Sequence, residues 1–161
     1  MRAPDLDARA AAAVDGASSV PAVLAATCRA LIDVLGAQAC AISRLVGELL
    51  VQIEEVVQPG RSLIIGQGYV VSDYPLTREV LDNRELKPVS VYDADADPAE
   101  AELLRDLGYE ALLMAPLVVG EQTWGLVELY DAGERRFSDE DLELAARVID
   151  RAGARLVELG A

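Results

Sequence analysis

The sequence contains no histidine, and that absence alone removes a good deal of chemistry. Hydrolytic triads with an imidazole base and most zinc sites depend on histidine, so neither is expected. Cysteine is scarce: Cys28 and Cys40 are the whole supply, in a number and at a spacing that imply no disulfide framework. No stretch approaches the roughly 20 apolar residues of a membrane-spanning helix. Met1-Arg-Ala-Pro-Asp-Leu-Asp7 holds one basic residue followed by acidic ones and no apolar signal core, so a cytoplasmic location is expected. Basic residues are outnumbered, 14 Lys and Arg against 28 Asp and Glu, and the resulting charge of −14 is spread along the chain. Such a charge argues against nucleic acid and anionic membranes as partners.

What is present is an apolar majority, 52% of 161 residues, enough for one domain to bury a core without disulfides or metals. The clearest local pattern lies near the C-terminus. Ala111 to Val119 and Thr123 to Tyr130 are apolar runs of strand length, and Gly120-Glu-Gln122 between them predicts a hairpin. Pro116 should fall at a bulge or where no ladder donor is required. Ser138 with Asp141 has the spacing of a capping box, and Phe137 with Leu142 that of a hydrophobic staple. Asp139, Glu140 and Asp141 place three carboxylates on the positive end of the helix dipole. The stripe 142, 145, 146, 149, 152, 156 predicts a long helix lying on the sheet. Leu144 and Val148 widen that stripe, which suggests a second contact, such as another copy of the chain.

Upstream, Asp5 to Val14 is an alanine-rich helix ended at Asp15-Gly-Ala-Ser-Ser19. Ser19 and Pro21 open a second helix that runs to Leu35 and stops at Gly36. Gln38 to Leu45 and Leu49 to Val56 form a hairpin, and a short third strand lies within Leu63 to Ser72. A helix of about three turns runs from Asp73 to near Asn83, and Leu86 to Val91 is an edge strand, where Pro88 is tolerated. A last short helix, Ala99 to Leu107, stops at Gly108. This order predicts an α+β fold: a central antiparallel sheet of about six strands, terminal helices on one face, and short helices and loops roofing a pocket on the other. Residues 1–17 are a helical extension and 18–161 the domain proper.

Alternation along the last strand puts Trp124, Leu126, Glu128 and Tyr130 on one face and Val127 and Leu129 on the other. If the second set meets the helices, Glu128 and Trp124 face the roof. Tyr69, Tyr74, Tyr92 and Tyr109 flank the roof segment, and Thr77 and Arg78 begin its first helix. Together these eight residues supply the apolar wall and few polar groups of a small-molecule site, Arg78 being placed to meet an anion. Asp93, Asp95 and Asp97 lack the glycine and bidentate glutamate of a calcium loop and read as helix capping. Glu54 and Glu55, adjacent on a strand, point to opposite faces and cannot share a proton.

Met114-Ala-Pro-Leu117, Gly125-Leu-Val-Glu-Leu-Tyr130 and Phe137-Ser-Asp-Glu-Asp141, preceded by Asp73-Tyr-Pro-Leu-Thr-Arg-Glu-Val-Leu81, Leu86-Lys-Pro-Val-Ser90 and Asp93, resemble a bacterial GAF domain over residues 18 to 159. The resemblance implies a sensory module that binds a small molecule, dimerises, or both, and controls an output domain in the same or a partner chain. The end at Leu159-Gly-Ala161, where a connecting helix would continue, fits an excised sensor. Cyclic-nucleotide-binding members carry Asn-Lys after the last strand, where this chain has Tyr130-Asp131, so cyclic GMP and AMP are disfavoured. Haem is disfavoured for want of a histidine ligand. A covalent bilin is disfavoured because Cys28 and Cys40 lie far upstream of the roof. No cofactor and no metal are therefore expected, and no enzyme activity. The alternatives are a ligand-free dimerisation and coupling module and, more distantly, a small carboxylate-based enzyme on this scaffold.

Overall fold

A computed structural model describes residues 3–63 and 66–161, with side chains from Asp7 onward. Helix α1 spans Ala3–Asp15 and α2 Val20–Leu35. Strands β1 (Ala39–Val46) and β2 (Leu49–Val56) form the first hairpin. A three-residue β3 (Gly68–Val70) leads through a 3-10 turn to α3 (Pro75–Asn83), β4 (Lys87–Ser90) and α4 (Pro98–Asp106). The second hairpin, β5 (Ala111–Val119) and β6 (Gln122–Asp131), precedes α5 (Asp139–Glu158). Of the segment expected to contain the third strand, Ile64 and Ile65 lie outside the described residues, as do Met1 and Arg2.

The strands pair antiparallel in the order β3-β2-β1-β6-β5-β4, which makes the expected α+β fold with its six-stranded sheet. Pro88 falls on the edge strand β4, where a missing donor costs no ladder bond. The helix boundaries are fixed by local hydrogen bonds. The Ala22 N–H donates to Ser19 Oγ at 3.2 Å, and Gly36 turns out of α2 at φ 68°. At the start of α5, the Asp141 N–H donates to Ser138 Oγ at 3.1 Å and the Ser138 N–H to the Asp141 carboxylate at 2.9 Å, so both caps are satisfied at once.

Two apolar layers flank the sheet. On one side Val23, Leu24, Cys28 and Leu31 of α2 and Ala145, Ile149, Ala152 and Leu156 of α5 meet Cys40, Ile42, Leu113, Ala115, Val127 and Leu129. Ala10 and Val14 bring α1 into the same layer. This answers the broad stripe of α5: Leu144 and Val148 face Ala10, Ala11 and Val14, so the second contact is α1 of the same chain. Both cysteines are fully buried in this layer. On the other side Val80, Leu81 and Leu104 of α3 and α4 cover Ala41, Leu50, Leu112, Met114, Leu126 and Tyr130. Burial of these two layers is the main stabilising term, on the order of 25 cal/mol for each Å² of apolar surface removed from water.

The alternation of β6 holds from Leu126 to Tyr130 and fails at Trp124. Leu117 pairs with Gly125, but Val118 pairs with Thr123, so Trp124 is an extra residue in the ladder. A bulge of this kind turns the following or preceding side chain to the opposite face. Trp124 accordingly packs into the helix-covered layer, beneath the Arg44 guanidinium at 4.4 Å from its ring. Arg44 Nη1 also donates to the Trp124 carbonyl at 2.7 Å, holding the bulge.

Candidate ligand site

Between the sheet and the roof lies a narrow space lined by Leu50, Tyr69, Leu126, Glu128 and Tyr130 from the sheet and by Val71, Tyr74, Thr77, Glu100 and Leu103 from the roof. It is nearly filled by its own side chains. About 20 Å³ is open to the centre of a water-sized sphere, room for roughly one water molecule.

Four of the expected residues come together here: Tyr69, Tyr74, Thr77 and Glu128. The rings of Tyr69 and Tyr74 meet edge to face, their centroids 6.1 Å apart and their planes at 80°. Thr77, in the first turn of α3, donates its hydroxyl to Glu100 of α4 and lies 3.5 Å from Met114 Sδ. That bond ties the two roof helices to each other over the sheet.

The other four expected residues are placed elsewhere. Arg78 is on the rim, paired with Glu48 and 4.0 Å from Asp82, so its charge is answered at the surface. Tyr92 is 48% exposed and donates to Glu110. Tyr109 is buried behind Tyr130, ring centroids 5.3 Å apart, with its hydroxyl donating to Gln58 at 3.1 Å and Arg61 stacked 4.3 Å over its ring. Trp124 is on the far face, displaced by the bulge.

Glu100 and Tyr130 are functional candidates that sequence reasoning passed over. Glu100 stands at the inward position of the spacing 100, 103, 104, 107, whose other members are leucines, and that periodicity was the available signal. Its backbone N–H is one of two capped by Asp97, at 3.3 Å. Asp97 thus caps α4, and Asp93 accepts from the Ser90 N–H at 3.1 Å and pairs with Arg136.

The electrostatics of the space are unusual. Glu100 is 2% exposed and Glu128 8%. Burial, with the nearby Glu100 charge second, pushes the Glu128 carboxyl up to about 8, although the Tyr130 hydroxyl hydrogen-bonds to it and works the other way. Burial also raises Glu100, opposed by the Thr77 hydroxyl. The Tyr130 phenol is driven up by burial and by the Glu128 charge. No lining residue is a cation. Near neutral pH the Glu128 carboxyl is therefore protonated.

The GAF-domain family profile matches residues 19–156 of this chain. The chain is a GAF domain. No curated protein matches it in sequence. Among solved structures, a biliverdin-bound protein in its far-red absorbing dark state aligns with a TM-score of 0.83 at 15% identity, over 97% of this chain and 99% of that one. A phycocyanobilin-bound GAF domain from a cyanobacterial phytochrome aligns at 0.82 and 19% identity, over 99% and 96%. The chromophore-binding domain of a bacteriophytochrome from R. palustris aligns at 0.84 and 12% identity, over 97% of this chain and 61% of that one. At these identities the likeness is one of fold. It corrects one expectation nonetheless: the reading of no cofactor, with a bilin disfavoured, is overturned, because bilin-bound structures share this GAF fold over nearly its whole length.

Proposed function

We propose that this GAF domain is a non-catalytic sensor of a bacterial, cytoplasmic signalling protein, and that a small molecule entering between sheet and roof biases the position of α5 and, through it, an output domain. The observation that carries this reading is the polar lining of the roofed face. A merely structural layer would be apolar throughout, yet here Glu128, Glu100, Thr77 and the Tyr130 hydroxyl are gathered over the middle of the sheet. α5 lies on the opposite side of the same strands, with Val127 and Leu129 of β6 in its layer and Leu126 and Glu128 in the site. A change on one face is one residue away from the other.

A bilin is the first ligand class to try. Pyrrole N–H groups would donate to the buried carboxyls and the ring system would lie against Tyr69, Tyr74 and Tyr130. It would be held by hydrogen bonds and ring contacts, since Cys28 and Cys40 lie across the sheet. The space of about 20 Å³ means that α4 and the chain before α3 must lift to admit it. Titration of the purified domain with biliverdin and phycocyanobilin, followed by absorbance and thermal unfolding, tests this. A saturable spectral change with a rise in Tm that Y69A/Y74A abolishes supports the roofed site. A ligand response indifferent to those substitutions counts against it.

A homodimer is the second part of the proposal. Ala10, Ala13, Ala22 and Ala26 line an open groove between α1 and α2, and Val157 near the end of α5 is 50% exposed. Sedimentation velocity that shows only monomer at high concentration removes it.

A further inference from the structure

The roofed space has acceptors and aromatic rings, and among the described residues that line it there is no positive group. Glu128 on β6 is faced by Glu100 from α4, by Tyr69 from β3, by Tyr74 ahead of α3 and by Tyr130 on its own strand. Of the positive side chains carried by the roof and its flanks, Arg78 is engaged with Glu48 and Arg61 with the Leu107 and Gly108 carbonyls, while Asp73 and Glu102 stand beside Tyr74. Among the described residues the Tyr130 hydroxyl is the donor that reaches Glu128. When ionised, a carboxyl has about four acceptor positions and can take a further donor beside that hydroxyl. Glu100 has the Thr77 hydroxyl as its side-chain donor and the Thr77 backbone N–H beside it.

We infer that the space receives the positively charged nitrogen of an organic cation, set between Glu128 and Glu100 with the rings of Tyr69, Tyr74 and Tyr130 lining it. Two buried carboxyls without a cation are costly, and a ligand that supplies the charge relieves both. Tyrosine rings stabilise a desolvated ammonium or guanidinium further. A neutral ligand of the same shape gains neither effect. The inference rests on the proposed roofed site and adds the charge of its occupant.

Binding carries its own signature. Near neutral pH Glu128 holds a proton, and a cation placed against it favours the ionised form, so the proton leaves to solvent as the ligand enters. Charge balances: the cation replaces the proton as the positive partner of the carboxylate.

The test is isothermal titration at pH 7 in two buffers of different ionisation enthalpy. The probes are methylammonium, butylammonium, benzylammonium and guanidinium, with methanol, butanol, benzyl alcohol and urea as neutral counterparts. The expected result is binding of at least one cation with release of about one proton, and about tenfold or more weakening in E128Q and E100Q, each 1.36 kcal/mol being a factor of ten. Failure of every cation overturns the inference. A neutral probe that binds as tightly as its cation, with no proton release and with loss in Y69A/Y74A, overturns the charge assignment and leaves the roofed site standing. Binding unaffected by Y69A/Y74A and E128Q alike overturns the site as well. E128Q and E100Q retain the shape of the native side chains, and circular dichroism confirms their fold before titration.

Discussion

Gly153 lies directly over the backbone carbonyl of Val118: a Cβ at residue 153 would stand 2.2 Å from that oxygen. The missing side chain is what allows α5 to rest on β5, so the helix is seated on the sheet by backbone contact as well as by its leucines. G153A should therefore destabilise the domain by roughly 2 kcal/mol, overpacking strain exceeding the gain in helix propensity. Urea unfolding measures it. A midpoint equal to or above that of the native protein would show that α5 can shift without loss.

Stability should fall as pH rises from about 5 to about 8.5. Glu128 has its carboxyl raised from 4.5 to about 8, so in this window the folded chain holds a proton that the unfolded chain has released. Its contribution is complete below the unfolded value and is lost as pH passes through the folded one, an effect of about 5 kcal/mol at most. Glu100 moves in the same direction. E128Q should flatten the profile and be the more stable protein at the alkaline end. A native profile that is flat or rises over this range contradicts a buried, protonated Glu128.

Arg135 joins three elements. It donates to Asp131 at the end of β6 at 2.9 Å, to the Leu35 carbonyl at the end of α2 at 2.8 Å, and to Asp141 at 3.4 Å, while covering Phe137 at 4.8 Å. Being partly buried, these contacts are worth more than a surface pair, and R135A should cost about 2 kcal/mol. R135K should recover less than half, because one ammonium cannot reproduce the planar fork. The control is R151A, which removes only the exposed pair with Asp15 and should leave the unfolding midpoint nearly unchanged.

Ser43 presents the opposite case. Its hydroxyl is buried and has no hydrogen-bond partner among the described residues. An unsatisfied polar group costs about 1 kcal/mol or more, so S43A should be neutral or stabilising by up to about that amount. Marked destabilisation in chemical unfolding would mean that the hydroxyl has a partner after all.

What the sequence determined by itself was set by short-range forces. The capping box of Ser138 and Asp141, the Asp97 cap, the stop at Gly36, the 120–122 turn and the alternation from Leu126 to Tyr130 involve groups a few residues apart. Each could therefore be read from spacing alone. Half of the expected lining, Tyr69, Tyr74, Thr77 and Glu128, was legible from the strand alternation together with the order of elements that sets a roof over the sheet. The tertiary structure decided the rest. Trp124 changed faces because an unpaired residue in one strand exists only relative to its partner strand. Arg78 turned to the rim because Glu48, thirty positions away, offers it a charge in water, where ionisation is cheap. Glu100 became the second carboxyl of the site because α4 folds over β6. An electrostatic environment belongs to the packed layers, and no stretch of chain carries it before they meet.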